Sequence, residues 1–202
     1  IVFFCAYWEE SVCPFLFFLL IEGYFHTSSK GKYFLRMLVF AFISEPFYDF
    51  AFYDTFFYSK NQNILFLLAL GILFLFLLEQ VSTYFKKKPS LDSYLYLALS
   101  HFIIVLFTGA IASILQIDYS FYGILMIYFM YLFRNHLLFY LLSFIPFVFL
   151  LTANPYLQLF HFLAIIILSL YNGKKGKSLK YFFYFYYPLH LIILDFIYQT
   201  LF

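Results

Sequence analysis

Eight apolar runs, cut apart by short polar breaks, fill most of this 202-residue chain. They lie at about 12–26, 33–47, 63–82, 94–115, 121–133, 136–151, 157–171 and 181–201. Each run needs an apolar partner along its length. A soluble domain of this size must also cover its surface, and the polar residues to do so are too few. Apolar residues make up 65% of the chain and charged residues 11%, against roughly 45–50% and about 25% in soluble domains. Lipid is the solvent that such a surface fits. Backbone groups in lipid must bond within their own segment, which selects helices. The alternating pattern of an outer-membrane barrel strand is absent.

The expected fold is therefore all-α: a polytopic transmembrane bundle of about eight short helices, one domain over residues 1–202. A crossing takes about 20 apolar residues, with a range near 17–25. The runs 12–26, 33–47, 121–133, 136–151 and 157–171 are short on that rule and lean on flanking aromatic residues. The stretch 121–151, which holds Arg134, His136 and Pro146, also reads as one long bent helix. The chain starts at Ile1, and residues 1–8 are apolar but too short to span. They read as the tail of a missing helix, without the basic head of a signal peptide.

Charge sorts the breaks. The first carries Lys30 and Lys32, the third Lys86, Lys87 and Lys88, the fifth Arg134, the seventh Lys174, Lys175, Lys177 and Lys180. The second has Lys60 against Asp49 and Asp54, the fourth has Asp118, and the sixth has no charge. Bases collect in cytoplasmic loops. Eight crossings with the odd breaks in the cytoplasm explain the alternation and make the bilayer the first partner. Nucleic acid is not an expected partner, because the bases are spread over separate breaks rather than gathered on one face. Cys5 and Cys13 lie in no ligand pattern, and no metal site is expected.

Ionisable groups at membrane depth are costly, so they are functional candidates. Glu22 and His26 are four apart and share a helix face. Arg36, one turn into the second run, is expected to meet them. His190 lies ten residues past Lys180, about 15 Å deep at 1.5 Å per residue. It follows Pro188 and shares a face with Tyr187, and a midplane imidazole suits proton transfer. The alternative for each is an interfacial ion pair or an interhelical hydrogen bond. His101 and His161 read as structural, and Asp195 as locally paired. The seventh break, Tyr171-Asn172-Gly173-Lys174-Lys175-Gly176, combines close backbone approach with phosphate-seeking charge. Positive-inside topology explains the same lysines without a ligand. No GxSxG, HExxH or GxGxxG run occurs.

Several stretches, in order, resemble the TraX family of membrane proteins, named for the pilin N-acetylase of conjugative plasmids. They are the run from Pro14 to Thr27 with Glu22-Gly23-Tyr24-Phe25-His26-Thr27, then Lys32 to Arg36, Ile43-Ser44-Glu45-Pro46-Phe47 and Gln62-Asn63-Ile64. Farther on come Tyr122-Gly123, Phe133-Arg134, the Tyr171 to Gly176 run and Tyr187-Pro188-Leu189-His190-Leu191. The resemblance implies an integral membrane acyltransferase that uses acetyl-CoA as donor substrate and holds no bound cofactor. The acceptor would be a pilin N-terminus or an envelope component. Carried over by position, Glu22, His26 and His190 are the catalytic candidates. Arg36, Arg134, Asn172, Lys174 and Lys175 are the donor-binding candidates, and Glu45, Asn63 and Tyr171 also match. The family's opening helix ends in an Asp-His pair whose histidine is, beside His190, the base that the resemblance implies; that helix is expected to be missing here, and Glu9, Glu10 and Ser11 stand where the family tends to carry Gly-Arg. Two rival readings stay open on the residues alone. One is a transporter with Glu22, His190 and Asp195 along its path. The other is a pilus or envelope assembly protein without chemistry.

Overall fold

Three of the polar breaks turn out to be helix caps. Ser29 accepts from the Lys32 N–H, Asn63 from the Leu65 N–H, and Ser90 and Ser93 cap each other's backbone in a capping box. Each side chain satisfies an N–H that the first helical turn leaves without a partner. The structure, a computed structural model, describes residues 15–87, 89–135, 166–168, 170 and 180–201. Its long elements are α1 (Phe15–His26), α2 (Lys30–Tyr53), α3 (Ile64–Lys86), α4 (Leu91–Ile114), α5 (Ser120–Phe133) and α6 (Lys180–Leu201). The fold is all-helical among the described residues, and these six helices fall on six of the eight apolar runs. The run 136–151 and most of 157–171 lie outside the described residues.

The second run is longer than its apolar pattern. The run ends at residue 47, just past Pro46, yet α2 continues through Pro46 to Tyr53. A proline inside a helix forfeits one N–H bond and crowds the preceding turn. Here the turns beyond it bury Tyr48 and Ala51, and Asp49 accepts from the Tyr58 N–H at 2.7 Å. Asp54, at φ 54°, then closes the helix with its N–H on the Phe50 carbonyl at 3.1 Å. At the other boundary in question, α5 stops at Phe133, so the described part of 121–151 is a short helix with Arg134 as its C-cap.

The helices pack as successive hairpins, α2 on α3, α3 on α4 and α4 on α5, with α6 against α2. Phe40 of α2 stacks on Tyr184 of α6 with ring centroids 4.7 Å apart. The second and fourth breaks meet at one end: the Gln62 N–H donates to the Gln116 carbonyl and the Asp118 N–H to the Gln62 carbonyl, both at 2.9 Å. The opposite end gathers the last turns of α1 and α3, the first turn of α2 and the cap of α5. The bundle thus has an acidic end and a basic end.

Helices α3 and α4 are each long and apolar enough to cross a membrane; α1, α5 and a stretch of α6 are apolar but shorter. Eight crossings are therefore more than length and composition support among the described residues. The outer face of α4 is informative. Leu95, Leu99, Phe102, Ile103, Leu106 and Phe107 are all exposed, a continuous apolar surface of the kind that water does not tolerate. With two such helices, the chain reads as a membrane protein.

Small residues set the helix spacing. A Cβ on Gly109 of α4 would sit 2.1 Å from the Phe121 ring of α5, and one on Gly123 of α5 would sit 2.3 Å from Leu67 of α3. Gly31, in the first turn of α2, has nothing within 4 Å of that position. Gly109→Ala is expected to cost about 1–3 kcal/mol by overpacking, whereas Gly31→Ala adds helix propensity and is expected to stabilise by up to about 1 kcal/mol. Melting of the two variants in one detergent checks the opposite signs.

Candidate polar site at the basic end of the bundle

The last turn of α1 carries Glu22, Gly23, Tyr24, Phe25 and His26, and each meets something different. The Glu22 carboxylate receives the Arg134 Nε–H at 2.9 Å, an ion pair between α1 and the cap of α5. Both side chains are mostly withdrawn from water, Glu22 at 15% exposure and Arg134 at 28%. The Arg134 guanidinium also lies over the Phe25 ring, 4.0 Å from its centroid. Tyr131 stacks nearby on Phe25 at 6.2 Å. Such a cation–π contact is worth about 0.5–2 kcal/mol, more when dry.

His26 closes the turn. Its Nδ1 sits 2.9 Å from the Glu22 carbonyl and 3.6 Å from the Glu22 carboxylate. With Nδ1–H donating to that carbonyl, Nε2 carries the lone pair and is the basic atom of the ring. The side chain is a third exposed, so this atom can be reached from outside the core. Opposite, Tyr33 of α2 lies against the α1 backbone: a Cβ on Gly23 would be 2.9 Å from the Tyr33 hydroxyl. Glycine at position 23 is what allows α2 this close to the site.

Tyr24 is fully buried and donates its O–H to Glu79 Oε2 at 2.6 Å. Lys30 Nζ binds the same oxygen, and sits 4.5 Å from the centroid of the Tyr24 ring. Next along α3, Ser82 Oγ is 3.0 Å from His101 Nε2 and 3.4 Å from the Tyr131 hydroxyl, while the Tyr128 hydroxyl is 3.4 Å from His101 Nδ1. Ser82 and His101 are buried, so this is an interhelical tie of α3, α4 and α5, in keeping with the structural reading of His101.

The expected meeting of Glu22, His26 and Arg36 is half realised. Glu22 and His26 do meet, but the guanidinium on Glu22 belongs to Arg134, 112 residues away in sequence. Arg36 keeps its Nε buried without a hydrogen-bond partner among the described residues. Its guanidinium lies near Tyr33. Among the described residues His190 bonds within its own helix: Nδ1 is 3.0 Å from the Tyr186 carbonyl, and its ring packs on those of Tyr186 and Tyr187 at 5.1 and 5.2 Å. Asp195 is paired locally, accepting from Gln199 at 2.9 Å. Glu45 and Asn63 are brought together at the acidic end, where both the N–H and the side-chain amide of Asn63 donate to Glu45 Oε2. Tyr171, Asn172, Lys174 and Lys175 lie outside the described residues.

Sequence reasoning passed over Glu79, Tyr24 and the ion-pairing role of Lys30. The signal was present for Glu79, the one acid in the otherwise apolar run 63–82. An unpaired acid there would be expensive, so a cation had to be near. Among the described residues no group of three or more His, Cys, Asp or Glu side chains is placed to hold a metal ion.

A family model described as TraX protein matches residues 11–198, nearly the full chain. The chain belongs to the TraX family. The match takes in every site residue named above, Glu22 through His190, and begins after Glu9 and Glu10. Among curated proteins, 67 residues of the chain are 37% identical to the probable fimbrial assembly protein FimC, serogroup H1, of Dichelobacter nodosus. That stretch is 30% of this chain and 28% of the fimbrial protein, so the likeness spans less than a third of either. No solved structure matches the chain.

Proposed function

We propose that this TraX-family chain is an integral membrane acyltransferase of a pilus or envelope system, moving an acetyl group from acetyl-CoA to a protein N-terminus or an envelope component. The observation that carries the reading is the pairing of His26 with Glu22 and Arg134 on the basic end of the bundle. Acetyl-CoA is a polyanion, and this is the end where cations are concentrated. In the full reading the chain crosses a bacterial cytoplasmic membrane about eight times, with its basic loops on the cytoplasmic side.

The parts have distinct roles. Arg36, together with Lys174 and Lys175, attracts the donor's phosphates. Asn172 orients the donor. Arg134 holds Glu22 in place through the Nε–H bond. The acceptor amine attacks the thioester carbonyl, and its proton passes to His26 Nε2. The C–S bond then breaks, and the same proton goes to the departing thiolate. Glu22 stabilises the imidazolium formed in between. His190 is the second candidate base, and its separation from the Glu22 contacts makes single variants of the two histidines informative. Membership in the TraX family and the likeness to a fimbrial assembly protein support the pilus or envelope setting.

The test is acetyl transfer by purified protein in detergent or nanodiscs, with labelled acetyl-CoA and acceptors that include a pilin N-terminal peptide and an amino sugar. Transfer to at least one acceptor, saturable in acetyl-CoA, is expected. No transfer to any amine or sugar, together with no CoA binding, overturns the proposal.

A further inference from the structure

The turn that carries His26 is held from outside itself. His26 ends α1, residues 27–29 cross over, and Lys30 begins α2. Tyr24 stands just before that crossing and Lys30 just after it. Both bind one atom, Glu79 Oε2, near the last turn of α3. The carboxylate thus closes the turn like a pin. Tyr24 is fully buried, so its O–H has no water to fall back on, and losing Glu79 would strand a donor in the core.

We infer that Glu79 is the positioning residue for His26, acting through Tyr24 and Lys30, which it holds on either side of the histidine. This rests on the acyl-transfer reading for its catalytic consequence, though not for its geometry. Glu79 makes no contact with His26 in the described hydrogen bonds or ion pairs. Its effect is on where Nε2 stands. A displacement of about 1 Å at a reacting group costs about 10²-fold in rate. Glu22 and Arg134 hold the same turn from the α5 side, so loss of Glu79 tilts the turn rather than freeing it.

Two measurements on the full chain separate this inference from the reading that it rests on. The first is steady-state acetyl transfer by Glu79→Ala, Glu79→Gln and Tyr24→Phe. A fall in kcat of about 10–100-fold is expected for Glu79→Ala, with the KM for acetyl-CoA within about twofold of wild type. Glu79→Gln, which still accepts from the tyrosine, is expected to recover most of that loss. The second is hydrogen–deuterium exchange at the His26 imidazole carbon, read by mass spectrometry. It needs no turnover, and the exchange rate is expected to shift several-fold in Glu79→Ala and Tyr24→Phe and little in Glu79→Gln. If the wild type transfers no acetyl group, the functional reading fails and the exchange data alone decide the inference. Variants that remain monodisperse, with His26 exchange and kcat both at wild-type values, overturn it. Should Glu79→Ala fail to fold, the two milder variants carry the test.

Discussion

His26→Ala is expected to reduce acetyl transfer by about 10²–10⁴-fold, the range that a positioned general base contributes, while the bundle stays folded. The side chain is a third exposed and its one strong bond is to its own helix at the Glu22 carbonyl, so removing it opens no core cavity. Glu22→Gln is expected to act in the same direction with a smaller loss. It keeps the shape of the side chain but removes the charge that faces Arg134 and the imidazolium. The loss should fall on kcat more than on the KM for the donor, because neither group is placed to hold phosphates. Arg36→Ala should do the reverse and raise the donor KM, since it removes a cation proposed to meet the donor's phosphates. Side-by-side kinetics of His26→Ala and His190→Ala make the decisive comparison. Unchanged transfer in the first with loss in the second would assign the base to His190.

Asn63→Asp is expected to be the most destabilising single exchange at the acidic end, although it replaces one atom. Asn63 is fully buried, and its two donors meet Glu45 while a third bond runs to the Ala41 carbonyl at 2.9 Å. Its carbonyl oxygen caps α3 by accepting from the Leu65 N–H at 2.9 Å. Aspartate preserves that cap but turns a donor into a second anion facing Glu45, whose Oε1 is already buried without a partner. Asn63→Ala removes the cap, about 1 kcal/mol, and leaves the carboxylate short of a donor, about 1–3 kcal/mol more. Asn63→Asp should lose at least as much through like charges in a low-dielectric site. Pairing it with Glu45→Gln restores an amide donor across the same gap, and part of the stability should return. Thermal melting of the single and double variants checks the coupling; strictly additive losses would mean that the two side chains do not interact.

The helices were legible because lipid demands long apolar runs, and six of them reappear with bounds close to those read from the chain. The end of α2 was not. Pro46 looks like a stop from one dimension, and the reason it is not lies in contacts made beyond it: Asn61 donates to the Tyr48 hydroxyl and the Tyr58 N–H to Asp49. The site was legible in part. Glu22 and His26 are four apart, so helix geometry alone brings them together. Arg134 was visible as a base in a break but not as the partner of Glu22. The choice between Arg134 and Arg36 depends on which helix ends lie side by side. Glu79 was hidden for a related reason: an acid in an apolar run announces that it needs a cation, but not which one.

From its residues alone the chain is committed to helices in an apolar solvent and to a basic and an acidic end, since hydropathy and loop charge act through local sequence. Membership in a family of membrane proteins was legible too, in short runs kept in order. What the packing of the bundle adds is partnership. It joins Arg134 to Glu22 across 112 positions and sets Glu79 beside both Tyr24 and Lys30. It also buries the Arg36 Nε away from any hydrogen-bond partner among the described residues. Ion pairing inside a bundle falls off over a few ångströms, and distances on that scale between separate helices are set by the way side chains fill the space between them.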